Sequence, residues 1–242
     1  MKQLFDIIYE DPEILVVHKP AGLVCHPTKT DEYSSLISRA RLYLGRDIRP
    51  QLINRLDRET SGITLLAKND DSARRLRQLW ERRLVSKEYI AVVHGHVPLA
   101  HQLISAPLGK DESSRVAIKD CVHLEGAPAQ TEIWLESTFS TQSSNFSLLR
   151  VQPHTGRKHQ IRIHMAHIGH PIVGDKLYGG DEDLYLALVE NRLTEQQRAR
   201  LILPYHALHA AQVRFHWAGQ ERVFHTQAEP WFTAFCRADA LT

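Results

Sequence analysis

The hydrophobic pattern changes period repeatedly along the chain, and each change predicts an element. Residues 4–9 and 14–17 are short apolar runs separated by the turn signal Glu10-Asp11-Pro12, so they read as two antiparallel neighbouring strands. Lys19-Pro20-Ala21-Gly22 then breaks the backbone, and a polar loop runs to about Tyr33. Leu36, Ile37, Ala40 and Leu44 recur at helical spacing, which predicts a helix over 34–44 with Gly45 at its end. Residues 60–68 predict a buried strand. Asp70 or Asp71 can cap the next helix, where Ala73, Leu76, Leu79, Trp80 and Leu84 line one face. Residues 87–94 follow as a strand ended by Gly95. Between 97 and 126 the periodic signal is weak, and Pro98, Pro107 and Gly109 suggest loops and short strands.

The second half continues in the same manner. Residues 131–139 and 146–151 predict paired strands joined by a Ser/Thr/Asn-rich turn. Ile161, Met165 and Ile168 predict a helix over 158–168, stopped by Gly169 to Pro171. One polar, peripheral helix is expected over 184–203. An antiparallel pair is expected over 208–217 and 222–226 around Gly219, and a closing helix over 230–236. Strands come in runs rather than in βαβ alternation. The expected class is therefore α+β, with a mixed, mostly antiparallel central sheet flanked by helices. There is no internal repeat, low-complexity tract or evident linker, so residues 1–242 are expected to form a single domain.

Composition changes this picture little. The apolar fraction of 43% supports a real core, and a formal net charge of +2 does not mark a nucleic-acid binder. The distribution of charge says more: Arg74, Arg75, Arg77, Arg82, Arg83 and Lys87 crowd one stretch, and Arg150, Arg157, Lys158 and Arg162 another. Such patches can steer an anionic partner. Cys25, Cys121 and Cys236 are scattered and form no CxxC pair, which argues against a disulfide framework and fits a reducing cytosol. Acidic residues interrupt the apolar N-terminus, and no run approaches the length of a membrane span, so a cytoplasmic protein without membrane contact is expected.

Two stretches carry candidate chemistry. In 53–68, INRLDRETSGITLLAK, Asp57 lies between Arg55 and Arg58 at the entry to the buried strand. Nearby positive charge favours an ionised carboxylate, and a core strand offers rigid support; a surface ion pair is the competing reading. In 155–162, TGRKHQIR, a helix entry at Thr155-Gly156 would place Arg157, Lys158 and His159 in the first turn. The helix dipole disfavours cations there, so the group reads either as an anion site or as a solvated basic turn. His159, His164, His167 and His170 cluster, but HExxH is absent and no acid intervenes before Asp175, so no metal is expected. GxSxG, GxxxxGK[ST] and GxGxxG are absent too, and no cofactor is expected.

NRLDRETSG with LLAK closely resembles the HRLDxxTSGxxLxAK signature of the RluA-type pseudouridine synthases. Further segments resemble that family in order along the chain: Val17-His18-Lys19-Pro20-Ala21-Gly22, Lys87-Glu88-Tyr89, Ala129-Gln130-Thr131, Thr155 to Arg162, Gly169 to Asp175, and Leu208-His209-Ala210. The resemblance implies the family's catalytic fold with an active-site cleft, and isomerisation of uridine to pseudouridine in RNA without a cofactor. It places Asp57 as the essential aspartate, Tyr89 as the tyrosine packing on the flipped base, and Arg162 as the arginine that pairs with the aspartate. Arg55 matches the arginine associated with base flipping. Arg157, Lys158 and His159 lie in the matching segment and are expected to contact RNA. The expected partner is tRNA and/or a 23S rRNA stem-loop, met by a monomer. Asn54 stands where the family has His, and no room is seen for an N-terminal S4 domain. The alternative is a non-catalytic RNA-binding or RNA-folding protein on the same scaffold; a metal hydrolase using the histidine cluster ranks third.

Overall fold

In the computed structural model, which describes residues 5–27, 34–141 and 144–237, the chain begins with β1 (Asp6–Glu10), β2 (Ile14–Lys19), α1 (Leu36–Leu44), β3 (Gln51–Leu52), β4 (Ser61–Ala67) and α2 (Asp70–Glu81). It continues through β5 (Ser86–His94), β6 (His101–Ser105), β7 (Leu108–Lys110), β8 (Asp120–Val122), β9 (Gln130–Ser140), β10 (Asn145–Pro153) and α3 (Gln160–His167). It ends with α4 (Asp183–Val189), α5 (Glu195–Leu201), β11 (Leu208–Trp217), β12 (Gln220–His225) and α6 (Pro230–Cys236). The start of the first apolar run at Leu4, the polar loop toward Tyr33 and part of the turn before β10 lie outside the described residues.

The chain divides into two compact units, one of Met1–Lys87 with His209–Glu229, the other of Glu88–Leu208 with Pro230–Thr242. In the first, β1 pairs with β2 and β2 with β4, both antiparallel, while β4 and β11 run parallel and β12 returns antiparallel to β11. The side-chain period of two divides the apolar residues between the faces of this sheet. Ile14, Val16, Ile63, Leu65 and Ala67 pack with Ala73 and Leu76 of α2 and with Val213, Phe215 and Trp217 of β11. Leu15, Val17 and Leu66 pack on Leu36, Ile37 and Ala40 of α1. Because both faces are covered, β2 and β4 read as unbroken apolar runs rather than alternating ones.

The second unit carries an antiparallel series in which β10 pairs with both β5 and β9, and β9 with β6. Phe235 of α6 packs edge-on against Phe139 and Phe146 of this sheet. A separate hairpin, β7–β8, borders a small core of Leu108, Val116, Ala129, Ile163, Leu177 and Tyr178.

These pairings give the expected mixed, mostly antiparallel α+β arrangement. One expectation fails locally: the single helix over 184–203 is two short helices. Asn191 adopts a left-handed conformation at φ 56°, and Thr194 starts α5 with a capping box in which its hydroxyl and the Gln197 side chain each satisfy the other's backbone N–H. A second difference concerns α3, which begins at Gln160 after a left-handed His159, so Arg157 and Lys158 precede the helix.

The parallel contact between β4 and β11 depends on Gly62, which faces Ala210 at φ 116°. A Cβ there would stand 2.3 Å from the Ala210 carbonyl oxygen and 2.6 Å from its nitrogen. Gly62→Ala should therefore cost about 3 kcal/mol and lower the thermal midpoint by several degrees. Gly45→Ala, also at positive φ but with nothing within 4 Å, should cost about 1 kcal/mol. Equal losses in thermal unfolding would show that close approach is not the reason for Gly62.

Candidate active site

Asp57 sits in a short loop between β3 and β4, and its neighbours explain why the loop has one shape. The backbone N–H of Ile53 donates to Leu65 O. The Asn54 amide then extends that ladder with its side chain, donating to Ile63 O at 3.1 Å and accepting from Leu65 N–H at 2.8 Å. Asn54, the departure from the family pattern, thus splices the loop onto β4. Arg55 points outward, whereas Leu56 is buried and its N–H and C=O both meet the Cys25 thiol at 3.4 Å. A turn closes with Thr60 N–H on Asp57 O.

The fastening group on the other side is Lys19, the lysine of the K-P-A-G segment. Its side chain is fully buried, and Nζ donates to Pro20 O at 2.9 Å, Leu23 O at 2.8 Å and Arg58 O at 3.1 Å. Gly22 N–H also donates to Arg58 O. Burial pushes the Lys19 ammonium down to about 8, with Cys25, Glu229 and the Asp57 carboxylate opposing that shift. Lys19 is therefore a cation close to Asp57 from within the same unit, a role that its place in the motif alone did not reveal. Arg55 and Arg58, which flank the aspartate in sequence, are both exposed.

Behind this loop lie two histidines. His209 of the L-H-A segment meets Ser61 Oγ at 2.9 Å and Thr226 O at 3.2 Å, and His18 meets Thr226 Oγ1 at 2.8 Å. The rings of His18 and His209 are 5.6 Å apart. Burial holds the His209 imidazole down at about 4, with its bond to Thr226 opposing and the charge of His18 reinforcing the shift.

The remaining expected site residues belong to the second unit. Tyr89 is half-buried on β5, opposite Val151 of β10. The TGRKHQIR segment is organised by buried Gln160: its Oε1 accepts from Thr155 Oγ1 and Arg157 N–H, and its Nε2 donates to Gln130 O and Thr131 Oγ1. His164 bridges Thr131 Oγ1 and Ala106 O, fully buried, and burial lowers its pKa. His170 bonds His94 O. Among the described residues no group of three or more His, Cys, Asp and Glu side chains is placed to hold a metal ion.

Arg162 is also buried, and it clasps Asp175 through two parallel bonds, Nε to Oδ2 at 2.7 Å and Nη2 to Oδ1 at 2.9 Å. Asp175 Oδ1 also accepts from the N–H groups of Leu177 and Tyr178. Burial alone would raise the Asp175 carboxyl, but the Arg162 guanidinium, with His206 and the Tyr178 N–H, holds it well below the usual carboxylate range. The Arg162 guanidinium lies 4.9 Å from the centre of the Tyr178 ring, whose hydroxyl meets His159 Nδ1 at 2.8 Å and accepts from Asp120 N–H at 3.3 Å. The segment Gly169 to Asp175 was visible as a motif; the function of its aspartate appears only in the fold.

The two basic residues before α3 are accounted for differently than a helix-dipole argument supposes. Lys158 pairs with Asp120 at 2.9 Å, and exposed Arg157 donates from Nε to Pro128 O. Both precede the helix, and each is held by an oxygen acceptor outside it.

The sequence profile of the RNA pseudouridylate synthase family matches residues 13–167. An uncharacterized RNA pseudouridine synthase of Aquifex aeolicus is 39% identical over 72% of this chain and 56% of its own length. The ribosomal large subunit pseudouridine synthase D of Yersinia pestis is 32% identical over 88% of this chain and 66% of its own. In fold, the chain is similar to human RNA pseudouridylate synthase domain containing 1, at a TM-score of 0.74 and 22% identity over 100% of this chain and 98% of that one. The chain belongs to the RNA pseudouridylate synthase family and is of the RluA type. It spans about half to two thirds of the length of these curated relatives.

Two measurements test this description. Asp175→Asn removes the carboxylate that buried Arg162 clasps and should cost about 3–5 kcal/mol in urea unfolding, whereas Arg162→Met with Asp175→Leu should come closer to neutral. A small loss for the single variant would mean that the pair is not buried as described. The pH dependence of stability tests His209. Its folded value, about 4, lies below the ordinary value of about 6.5, so the unfolded chain takes up the proton first as pH falls. Its contribution is whole above about pH 6.5 and is lost progressively toward pH 4, roughly 3 kcal/mol in all. His209→Gln should flatten the stability curve in that window; an unchanged slope would show a solvated histidine.

Proposed function

We propose that this chain is an isomerase that converts uridine to pseudouridine in RNA, with Asp57 as the reacting carboxylate. The observation that carries the reading is the fastened Asp57 loop. A carboxylate held beside a buried ammonium, on a loop spliced to a core strand, is preorganised to act in its ionised form. Family membership supplies the reaction class. The reaction breaks the bond between ribose C1′ and uracil N1, turns the base, and joins C5 to C1′. N1 ends with a proton and C5 loses one, so the change is balanced without a cofactor. Ionised Asp57 serves either by attacking C1′ or by taking the C2′ proton to give a glycal.

In this reading the target nucleotide leaves its stack, Tyr89 holds the face of the base, and Arg55 fills the vacated space. Arg162 supplies directed N–H donors at the reacting centre. Arg157, Lys158 and His159 contribute to the RNA footprint, with Lys158 having to exchange Asp120 for a phosphate. All of residues 1–242 act as one catalytic domain, a monomer in the cytoplasm. The name of the Yersinia relative favours ribosomal RNA of the large subunit as substrate; tRNA is the second class to test. Among the described residues no helix is long and apolar enough to cross a membrane.

Incubation with rRNA and tRNA transcripts, followed by chemical mapping of pseudouridine, tests the reading. Asp57→Asn should reduce formation at least a thousandfold while leaving RNA affinity within about twofold. Full activity in that variant would remove Asp57 from the mechanism, and RNA binding without any modification by the native chain would favour a non-catalytic RNA-binding role.

A further inference from the structure

Several basic side chains on the first unit are already neutralised. Lys68 pairs with Glu10 at 2.8 Å, Arg74 with Asp71 at 2.7 Å, and Arg75 with Glu13 at 2.9 Å while lying over the Trp217 ring. Three others, close to the Asp57 loop, are not. His26, Arg41 and Arg55 are exposed, and among the described residues none of them has a carboxylate in ion-pair contact.

They come from three segments, and buried Cys25 brings those segments together. Its carbonyl accepts from Ile37 N–H in the first turn of α1, and its thiol meets both backbone groups of Leu56. His26 follows Cys25 directly, and Arg55 precedes Leu56. Arg41 lies one turn after Ile37 on the same helix face, and helical side chains lean toward the N-terminus, so it leans back toward Cys25. Electrostatics agrees with this placement: burial, then Arg55, then Arg41 push the His26 imidazole below its ordinary value. Two guanidinium cations gathered without a carboxylate partner among the described residues repel one another, a cost that an anion removes. Two planar guanidinium donors and an imidazole suit the oxygens of a phosphate.

We propose that His26 and Arg41, with Arg55 at their edge, form a binding site for a backbone phosphate of the RNA strand that carries the target uridine. The site deepens the proposed function and rests on it for the identity of the polyanion. It fixes where the strand enters beside Asp57, a positional task that the pseudouridine reaction itself does not require of these two residues.

The test measures affinity for a short uridine-containing RNA hairpin over a series of salt concentrations. Each phosphate contact contributes roughly 0.7–0.9 to the slope of log affinity against log salt. Arg41→Gln should lower that slope by about this amount, so that a fourfold rise in salt weakens binding about threefold less than in the native chain. His26→Gln should act in the same direction at acid pH, where the imidazole carries its proton, and Arg41→Lys should keep the native slope. Arg74→Gln, which removes an exposed arginine already paired with Asp71, should leave it unchanged. Arg41 is exposed, so each variant is expected to fold, and thermal unfolding checks this. An unchanged slope in both Arg41→Gln and His26→Gln, or native binding without salt dependence, overturns the site. Its failure is distinguishable from failure of the enzyme reading, since pseudouridine formation by the native chain and its loss in Asp57→Asn are scored separately.

Discussion

Burying a lysine ammonium completely is the constraint on which the candidate site depends. The Lys19 shift from 10.5 to about 8 corresponds to roughly 3 kcal/mol of net penalty on the charged form at neutral pH. The charge stays because three backbone carbonyls, from Pro20, Leu23 and Arg58, would otherwise be left without those donors in a region with little access to water. The same ammonium therefore folds the K-P-A-G turn, fastens it to the loop bearing Asp57, and sets a positive charge near the carboxylate. Structural and electrostatic roles cannot be separated at this position. An apolar replacement would lose both, and an arginine would demand a planar fork where three carbonyls converge on a point.

A second buried cation is handled in the opposite way. Arg162 is matched by Asp175 through two parallel bonds, and the pair carries no net charge. An arginine so neutralised offers direction rather than field: its N–H groups are aimed by the clasp and by the Tyr178 ring beneath the guanidinium. The family resemblance pairs Arg162 with Asp57, and the clasp with Asp175 adds a second carboxylate partner.

Much of this fold was legible because its strands are buried on both faces or alternate cleanly. The runs of β2 and β4 and the periodicity of α1 and α2 mark their elements closely. What could not be read has identifiable causes. The strands β3, β7 and β8, of two or three residues each, are too short to show a period. The break between α4 and α5 carried a readable signal, Thr194 followed three residues later by Gln197, but the apolar spacing across it masked the stop. At the site, Asp57 and the TGRKHQIR segment stood out by composition. Lys19, Asn54 and Asp175 were visible as letters of a motif without a task, because their tasks are tertiary. Asn54 completes a ladder whose register is set eleven residues away, and Asp175 meets a guanidinium from a different element.

The same distinction decides which basic residues can meet RNA. Clusters of arginine in a sequence suggest a binding face, yet Arg74 and Arg75 in the densest cluster are tied to Asp71 and Glu13, and Arg77 to Gln51. An exposed pair contributes little to stability, but it still lowers the value of each cation toward a phosphate, since the carboxylate must be released or repelled first. Cations without such partners pay no exchange cost on binding. Around Asp57 they are drawn from three distant stretches that no local count of charge would group. Their common neighbour is one buried thiol, so the packing that shapes the Asp57 loop also gathers positive charge at its rim. In the proposed reaction that arrangement matters: the Asp57 carboxylate would repel an RNA strand, and unneutralised cations nearby reverse the sign of the approach.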